Sequence, residues 1–309
     1  MMRKNFYILC VLACSLPRMA AAQVDKYDVS WESPGPNSAA SMPLGNGDIG
    51  LNVWVDPGGD LLFYISKTDA WGGEKDAAAD PWMQQGGVLM KLGLVRVSLS
   101  PNPLTAGGAF HQTLRLKDGE IVISEGAATY RIWVDANNPV IRVEASGARP
   151  MKATVTLDDW RLAGGGDTVL RNQGDRITWF HHNPGNGDPR LADPHLAAIT
   201  FGAAIEGRGL IRNDDTTLSS AKAALTQLIS IHPLTTTEGS WPARLTRQIA
   251  GTDQLNLEST REAHRQWWEK FWDRSHIYLH GDASADSVTQ GYILQRFVTA
   301  CAGRGAYPI

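Results

Sequence analysis

Cysteine is nearly absent: the 309 residues hold three, and two of them, Cys10 and Cys14, lie in or beside an N-terminal apolar stretch. If the chain matures near Gln23, Cys301 alone remains and no disulfide can form within one chain. Stability in an oxidising compartment must then come from the size of the core. Long apolar runs are also lacking. The longest, Phe6 to Leu16, falls short of the roughly 18 residues that a spanning helix needs. Positive charge is in short supply as well. Residues 1–22 carry Arg3, Lys4 and Arg18 but no acid, so the remainder sets 26 basic against 32 acidic residues, a balance of −6. Nucleic acid and anionic membrane surfaces are poor partners for such a chain. Absent, too, are a Gly-x-Ser-x-Gly elbow, a phosphate-binding Gly-x-x-x-x-Gly-Lys loop, a His-Glu-x-x-His helix, heptads and solenoid periods.

What is present begins with an export signal. Arg3 and Lys4 form its basic end, Phe6 to Leu16 its apolar part, and Ala20-Ala21-Ala22 the small residues before a cleavage site. The expected location is periplasmic or extracellular, with lipid attachment at Cys14 as the lesser alternative. From about residue 23 to 235 the pattern is that of strands and tight turns. Leu94 to Leu99, Thr129 to Val134 and Val140 to Glu144 alternate with period two, and each should bury one face. Asp118-Gly119, between Leu114–Lys117 and Glu120–Ile123, has the chemistry of a two-residue hairpin turn. Further strands are expected over Lys152–Leu157, Arg176–Phe180, Leu196–Ile205 and Ala224–Ile231, separated by Gly164-Gly165-Gly166 and Pro184-Gly185-Asn186-Gly187. A mainly β fold, a large antiparallel sandwich, follows from this spacing.

Residues 236–283 read as a helical linker. Pro242 suits the first turn of a helix running to about Ala250, and Ser259 with Glu262 has the spacing of a capping box for a second. Trp267, Trp268, Phe271 and Trp272 then form a broad aromatic face, suited to packing more than to sugar stacking. A third helix is expected from near Ala285 to Gly303, with Val288, Tyr292, Phe297 and Cys301 on its apolar side. Residues 284–309 read as the start of a further helical domain that the chain does not complete.

Met42-Pro43-Leu44-Gly45-Asn46-Gly47-Asp48-Ile49-Gly50-Leu51 resembles the opening of the N-terminal sandwich in glycoside hydrolase family 95, the α-L-fucosidase and α-galactosidase group. The hairpin from Phe110 to Ile123 is similar to one found there. Ile65 to Trp71, Trp179 to Pro184 and Gln295 to Ile309 resemble an uncharacterised N-terminal domain of exported bacterial proteins. The resemblance implies a β-supersandwich, a helical linker and the first helix of an incomplete (α/α)6 barrel. It also implies a carbohydrate partner, oligosaccharide or polysaccharide, and a catalytic acid inside the barrel, beyond Ile309. No residue of this chain is then expected to be catalytic, and no cofactor or metal is expected.

Four residues are candidates for sugar contact. Glycines around Asn46 and Asp48 permit a tight turn that could present both polar groups to hydroxyls, while Asp69 and Trp71 place a carboxylate beside a ring. The alternative is that Asn46 and Asp48 satisfy local backbone groups, as such residues do in turns. Asp158 and Asp159 are adjacent carboxylates, but neighbours in a strand face opposite ways, and solvated strand-end charges are the plainer reading. The same divergence separates His181 from His182, and no third ligand stands at metal-binding spacing. Three roles remain open: the non-catalytic N-terminal portion of an exported glycosidase, a carbohydrate-binding module, favoured if Trp71, Trp82 or Trp241 is exposed in a shallow groove, or a structural sandwich that docks another domain.

Overall fold

The computed structural model describes residues 21–72, 88–105, 107–164, 166–183 and 196–304. Residues 1–20 of the expected signal segment, Trp82, Gly165, Pro184 to Gly187 and the terminal residues from Gly305 lie outside them. Among the described residues the strands are β1 (Val29–Trp31), β2 (Met42–Gly45), β3 (Ile49–Val55), β4 (Leu61–Gly72), β5 (Val88–Ser100), β6 (Phe110–Arg115), β7 (Glu120–Glu125) and β8 (Ala128–Val134). They continue with β9 (Ile141–Asp158), β10 (Asp167–Leu170), β11 (Ile177–His182), β12 (Thr200–Gly207), β13 (Leu210–Arg212), β14 (Thr217–Ser220) and β15 (Ala224–Thr236). Helices α1 (Trp241–Asp253), α2 (Leu257–Arg274) and α3 (Ala283–Ala302) follow.

All the strand pairs are antiparallel, and β9 links two branches of the sheet. One branch runs β1-β6-β7-β8-β9-β15-β12-β11-β10; the other joins β2, β3, β4 and β5 to β9, which also carries β14 and β13. The first part of β9 pairs with β8 and β15, as in Ile141 opposite Val134 and Ile231. Its second part pairs with β5 and β14, as in Val155 opposite Val97 and Leu218. The sequence reads these as two strands, because the exposed Ala148-Arg149-Pro150 interrupts the alternation; the backbone stays one strand across it, with an irregular register against β15 at this point. Period-two patterning sends Phe63, Val95, Ile132, Val143 and Ile231 into one buried cluster that draws on both branches. Trp179 of β11 crosses that layer, its indole N–H donating to the Leu92 carbonyl of β5 at 2.7 Å.

Several boundaries move. The β6–β7 connection is a four-residue loop between paired Arg115 and Glu120, and Gly119, at φ 61°, supplies its positive φ. The expected two-residue turn gives way because Leu116 is buried and its carbonyl is taken by Trp272. Strand β12 begins at Thr200, not Leu196. Helix α1 starts one residue before Pro242, capped by Ser240. Helix α2 starts earlier than the capping box suggests, because Asn256 accepts from the Ser259 amide at 3.0 Å and takes the cap position.

The aromatic face of α2 packs. Trp268 and Trp272 are 1% exposed, Trp272 donates to the Leu116 carbonyl at 2.9 Å, and Trp268 stacks on Phe297 of α3 at 5.0 Å. Gly119 is required beneath it, since a Cβ there would lie 1.9 Å from the Trp268 indole nitrogen. Of the residues expected on the apolar side of α3, Phe297 and Cys301 are buried and Tyr292 is partly so, whereas Val288 is 59% exposed. Ile293 and Ala300 fill the stripe instead, because the helix is rotated to bring them onto the sheet.

Candidate functional site

The Gly45-Asn46-Gly47-Asp48 turn joins β2 to β3, and its polar atoms are largely spoken for. Asn46 accepts from the amides of Asp48 and Ile49 at 3.1 and 2.9 Å and donates its amide to the Asp135 carbonyl at 2.9 Å. Gly47, at φ 89°, donates its N–H to the Cys301 carbonyl at 2.8 Å. A Cβ on Gly47 would sit 2.0 Å from the Arg304 Cβ, and one on Gly45 would sit 2.6 Å from the Cys301 carbonyl oxygen. The glycines therefore admit the end of α3 to contact with bare backbone. Arg304 completes the clasp: it donates to the Ala136 carbonyl at 2.6 Å, and its guanidinium lies 3.7 Å from the Trp267 ring centre.

Beside this clasp the structure brings together Asp48, Asp69 and Trp71. Lys67, 7% exposed, donates to Asp48 and to Asp69 at 2.8 Å each. The Thr68 hydroxyl adds a bond to Asp48 at 3.1 Å. The two carboxylates keep 36% and 23% of their side chains exposed, so the cation is sunk and the anions form the rim. Lys67, Asp69 and Trp71 follow at steps of two along β4, in a stretch where its register against β5 is irregular. Trp71 is partly buried and anchored by its N–H to the Thr68 carbonyl at 2.9 Å. Asn183 donates to the carbonyls of Trp71 and Leu196, and its side-chain oxygen, fully buried, has no partner among the described residues. Lys67 is the member that sequence reasoning missed; its place two residues before Asp69 was the available signal. A rim of two carboxylates with one ring edge can accept hydrogen bonds from hydroxyls and offer limited stacking.

A second cluster corrects an expectation. Asp158 is exposed, as a strand-end charge should be, but Asp159 is 6% exposed and sits with Arg161, Asp167 and His181. Arg161 binds both oxygens of Asp167 at 2.9 and 2.8 Å, and the His181 Nδ1 lies 2.7 Å from the same carboxylate. Burial, then the adjoining Asp167, pushes Asp159 up to about 8. Asp167 is held well below the usual range: burial opposes its ionisation, but His181 and Arg161 outweigh it. Asp159 can therefore stay protonated and lend its proton to Asp167. The cause lies in β10 and β11, which close over Asp159 from outside its own strand. His181 and His182 diverge, one buried and one exposed.

Residues 30–167 and 165–277 match the profile of DUF5703_N, a domain of unknown function. The chain belongs to this family. No curated protein matches this DUF5703 chain. Among solved structures, one named as a kojibiose phosphorylase from the human microbiome is similar at TM-score 0.49 and 11% identity, over 90% of this chain and 42% of that one. A bacterial glucoamylase complexed with acarbose is similar at TM-score 0.37 and 7% identity, over 89% and 44%. The DUF5703 chain thus spans less than half the length of either structure.

Proposed function

We propose that this chain is the supporting β portion of an exported, glycan-processing enzyme resembling glycoside hydrolase family 95. In this reading the sandwich orients a helical (α/α)6 domain and lends Asp48, Asp69 and Trp71 to the glycan cleft, while the catalytic acid belongs to the helical domain. The observation that carries it is the clasp: the Gly45–Asp48 turn grips the last turn of α3 through Gly47 and Cys301, beside the two rim carboxylates. A turn so built fixes where the chain leaves α3 relative to Asp48. Asn46 serves by shaping the turn, since its amide is spent on backbone.

The test compares the chain from Gln23 to Ile309 with one extended through the sequence that follows in its gene, on aryl α-L-fucosides and α-galactosides. The extended protein is expected to turn over a glycoside, the shorter one none, and D48N or D69N in the extended protein to raise KM about tenfold, the scale of one lost hydrogen bond to a charged group. Turnover by the shorter chain, or an extended protein that ignores glycosides, overturns the proposal. A binding module without catalysis is the second reading, favoured by the partly exposed Trp71 beside Asp69. Trp241 lends it nothing, being 3% exposed and packed on Phe180.

A further inference from the structure

A cavity of about 650 Å³ opens between the β12–β15 part of the sheet and the α1–α2 junction. Glu206 of β12 and Asp253 at the end of α1 line it, and with His232 of β15 their ligand atoms all lie within 4.8 Å of one another. The site stands apart from the Asp69 rim. Asn183, which holds Trp71, adjoins the Thr200 end of β12, and Glu206 is six residues along, roughly 20 Å at strand rise.

His232 is fully buried. Its Nδ1 lies 3.3 Å from the Thr252 hydroxyl, which makes its shorter contact, 2.9 Å, by donating to the Ile249 carbonyl. The hydroxyl oxygen therefore accepts from Nδ1–H, and this assignment leaves Nε2 as a lone pair. That lone pair faces the Glu206 Oε1 at 3.2 Å. Two acceptors so placed need a positive centre between them, a proton on the imidazole or a metal ion. The other Glu206 oxygen is held by Arg176 at 2.8 and 2.5 Å.

We infer that Glu206, His232 and Asp253 form a binding site for a divalent transition metal of the Zn²⁺ class, with its remaining coordination positions open to the cavity. The 3.2 Å between His232 Nε2 and Glu206 Oε1 fits, since two ligand atoms about 2.1 Å from one ion at about 100° lie about 3.2 Å apart. Outer contacts fit as well: Thr252 fixes the histidine tautomer and Arg176 orients the carboxylate, the kind of support that metal ligands have. The cavity supplies an entry path. Arg142, 7% exposed and bonded to Ser230, brings positive charge to the same cavity. That charge weakens hard ions held by charge alone and favours ions that gain from an imidazole nitrogen, so Zn²⁺ is selected over Mg²⁺ and Ca²⁺. The role is to fasten the end of α1 to the sheet.

Titration of ZnCl₂ into untagged, EDTA-treated protein, followed by calorimetry and thermal unfolding, tests this. One Zn²⁺ per chain is expected, with Tm raised by about 5 °C at saturation and no effect of MgCl₂ or CaCl₂. D253N, at an exposed position, should fold normally and bind at least tenfold more weakly; T252V should lose about tenfold by freeing the tautomer. H232A should lose binding, and D253N keeps the test decisive if H232A does not fold. Absence of Zn²⁺ uptake, or uptake that D253N leaves unchanged because exposed histidines such as His111 or His276 carry it, overturns the site and leaves a protonated His232–Glu206 pair in its place.

Discussion

The Asp48 rim and the Glu206–His232–Asp253 cluster are assembled in opposite ways. At the Asp48 rim, a sunk lysine holds two carboxylates outward, and every charged member comes from the short stretch between the β2–β3 turn and β4. In the α1–α2 cavity a sunk histidine faces carboxylates from a strand and a helix end, brought together from residues 206, 232 and 253. Short-range construction leaves a mark in the sequence and can be read there. Long-range construction leaves none, and only the fold reveals it.

The contrast can be broken by substitution, starting with the changes of greatest effect. Trp268→Ala should cost about 3–5 kcal/mol, measured by denaturant unfolding, because it empties the contact among α2, α3 and the β6–β7 loop. A loss below 1 kcal/mol would mean that the helices are ornaments on the sheet. Gly47→Val should cost about 3 kcal/mol, since a branched side chain at positive φ must also displace Arg304. Its unfolding should resemble that of Gly45→Val, as both open the same clasp. Lys67→Met should cost about 2 kcal/mol, because both rim carboxylates lose their counter-charge while retaining some water. Combining it with D48N should recover part of that loss in a double-mutant cycle.

The fourth change is read in pH. Asp159 is raised from 3.8 to about 8 in the folded chain, so the folded state binds the proton more tightly than the unfolded one. Its contribution is fully present below pH 3.8 and is lost as pH rises towards 8. D159N, whose amide can still donate to Asp167, should flatten the fall in Tm between pH 5 and pH 8.5. An unchanged slope would assign the fall to other groups. The smallest stability effect is expected from D69N, within about 1 kcal/mol, since partly exposed ion pairs contribute little. A large effect there would make the rim a structural strut.

Legibility follows the same division. The alternation in Thr129–Val134, the Pro242 helix start and the packing aromatics of α2 are local patterns, and the structure contains each. Val288 was misplaced because Val288 and Tyr292 share a helical row, and only contact with β2 decides which row faces inward. Asp159 was misread because its neutralising partners arrive from β10 and β11. His232 gave no signal at all: Ile-His-Pro inside an apolar strand looks like a satisfied core histidine, and its partners are 26 residues upstream and 21 downstream.

Strand β9 belongs to both branches of the sheet, and this makes the molecule hard to divide. Neither branch can be lifted out, exchanged or duplicated without cutting a strand that the other needs, so the whole sheet must be inherited as one piece. A protease reaching the exposed stretch at Ala148–Pro150 would sever two structures with a single cut.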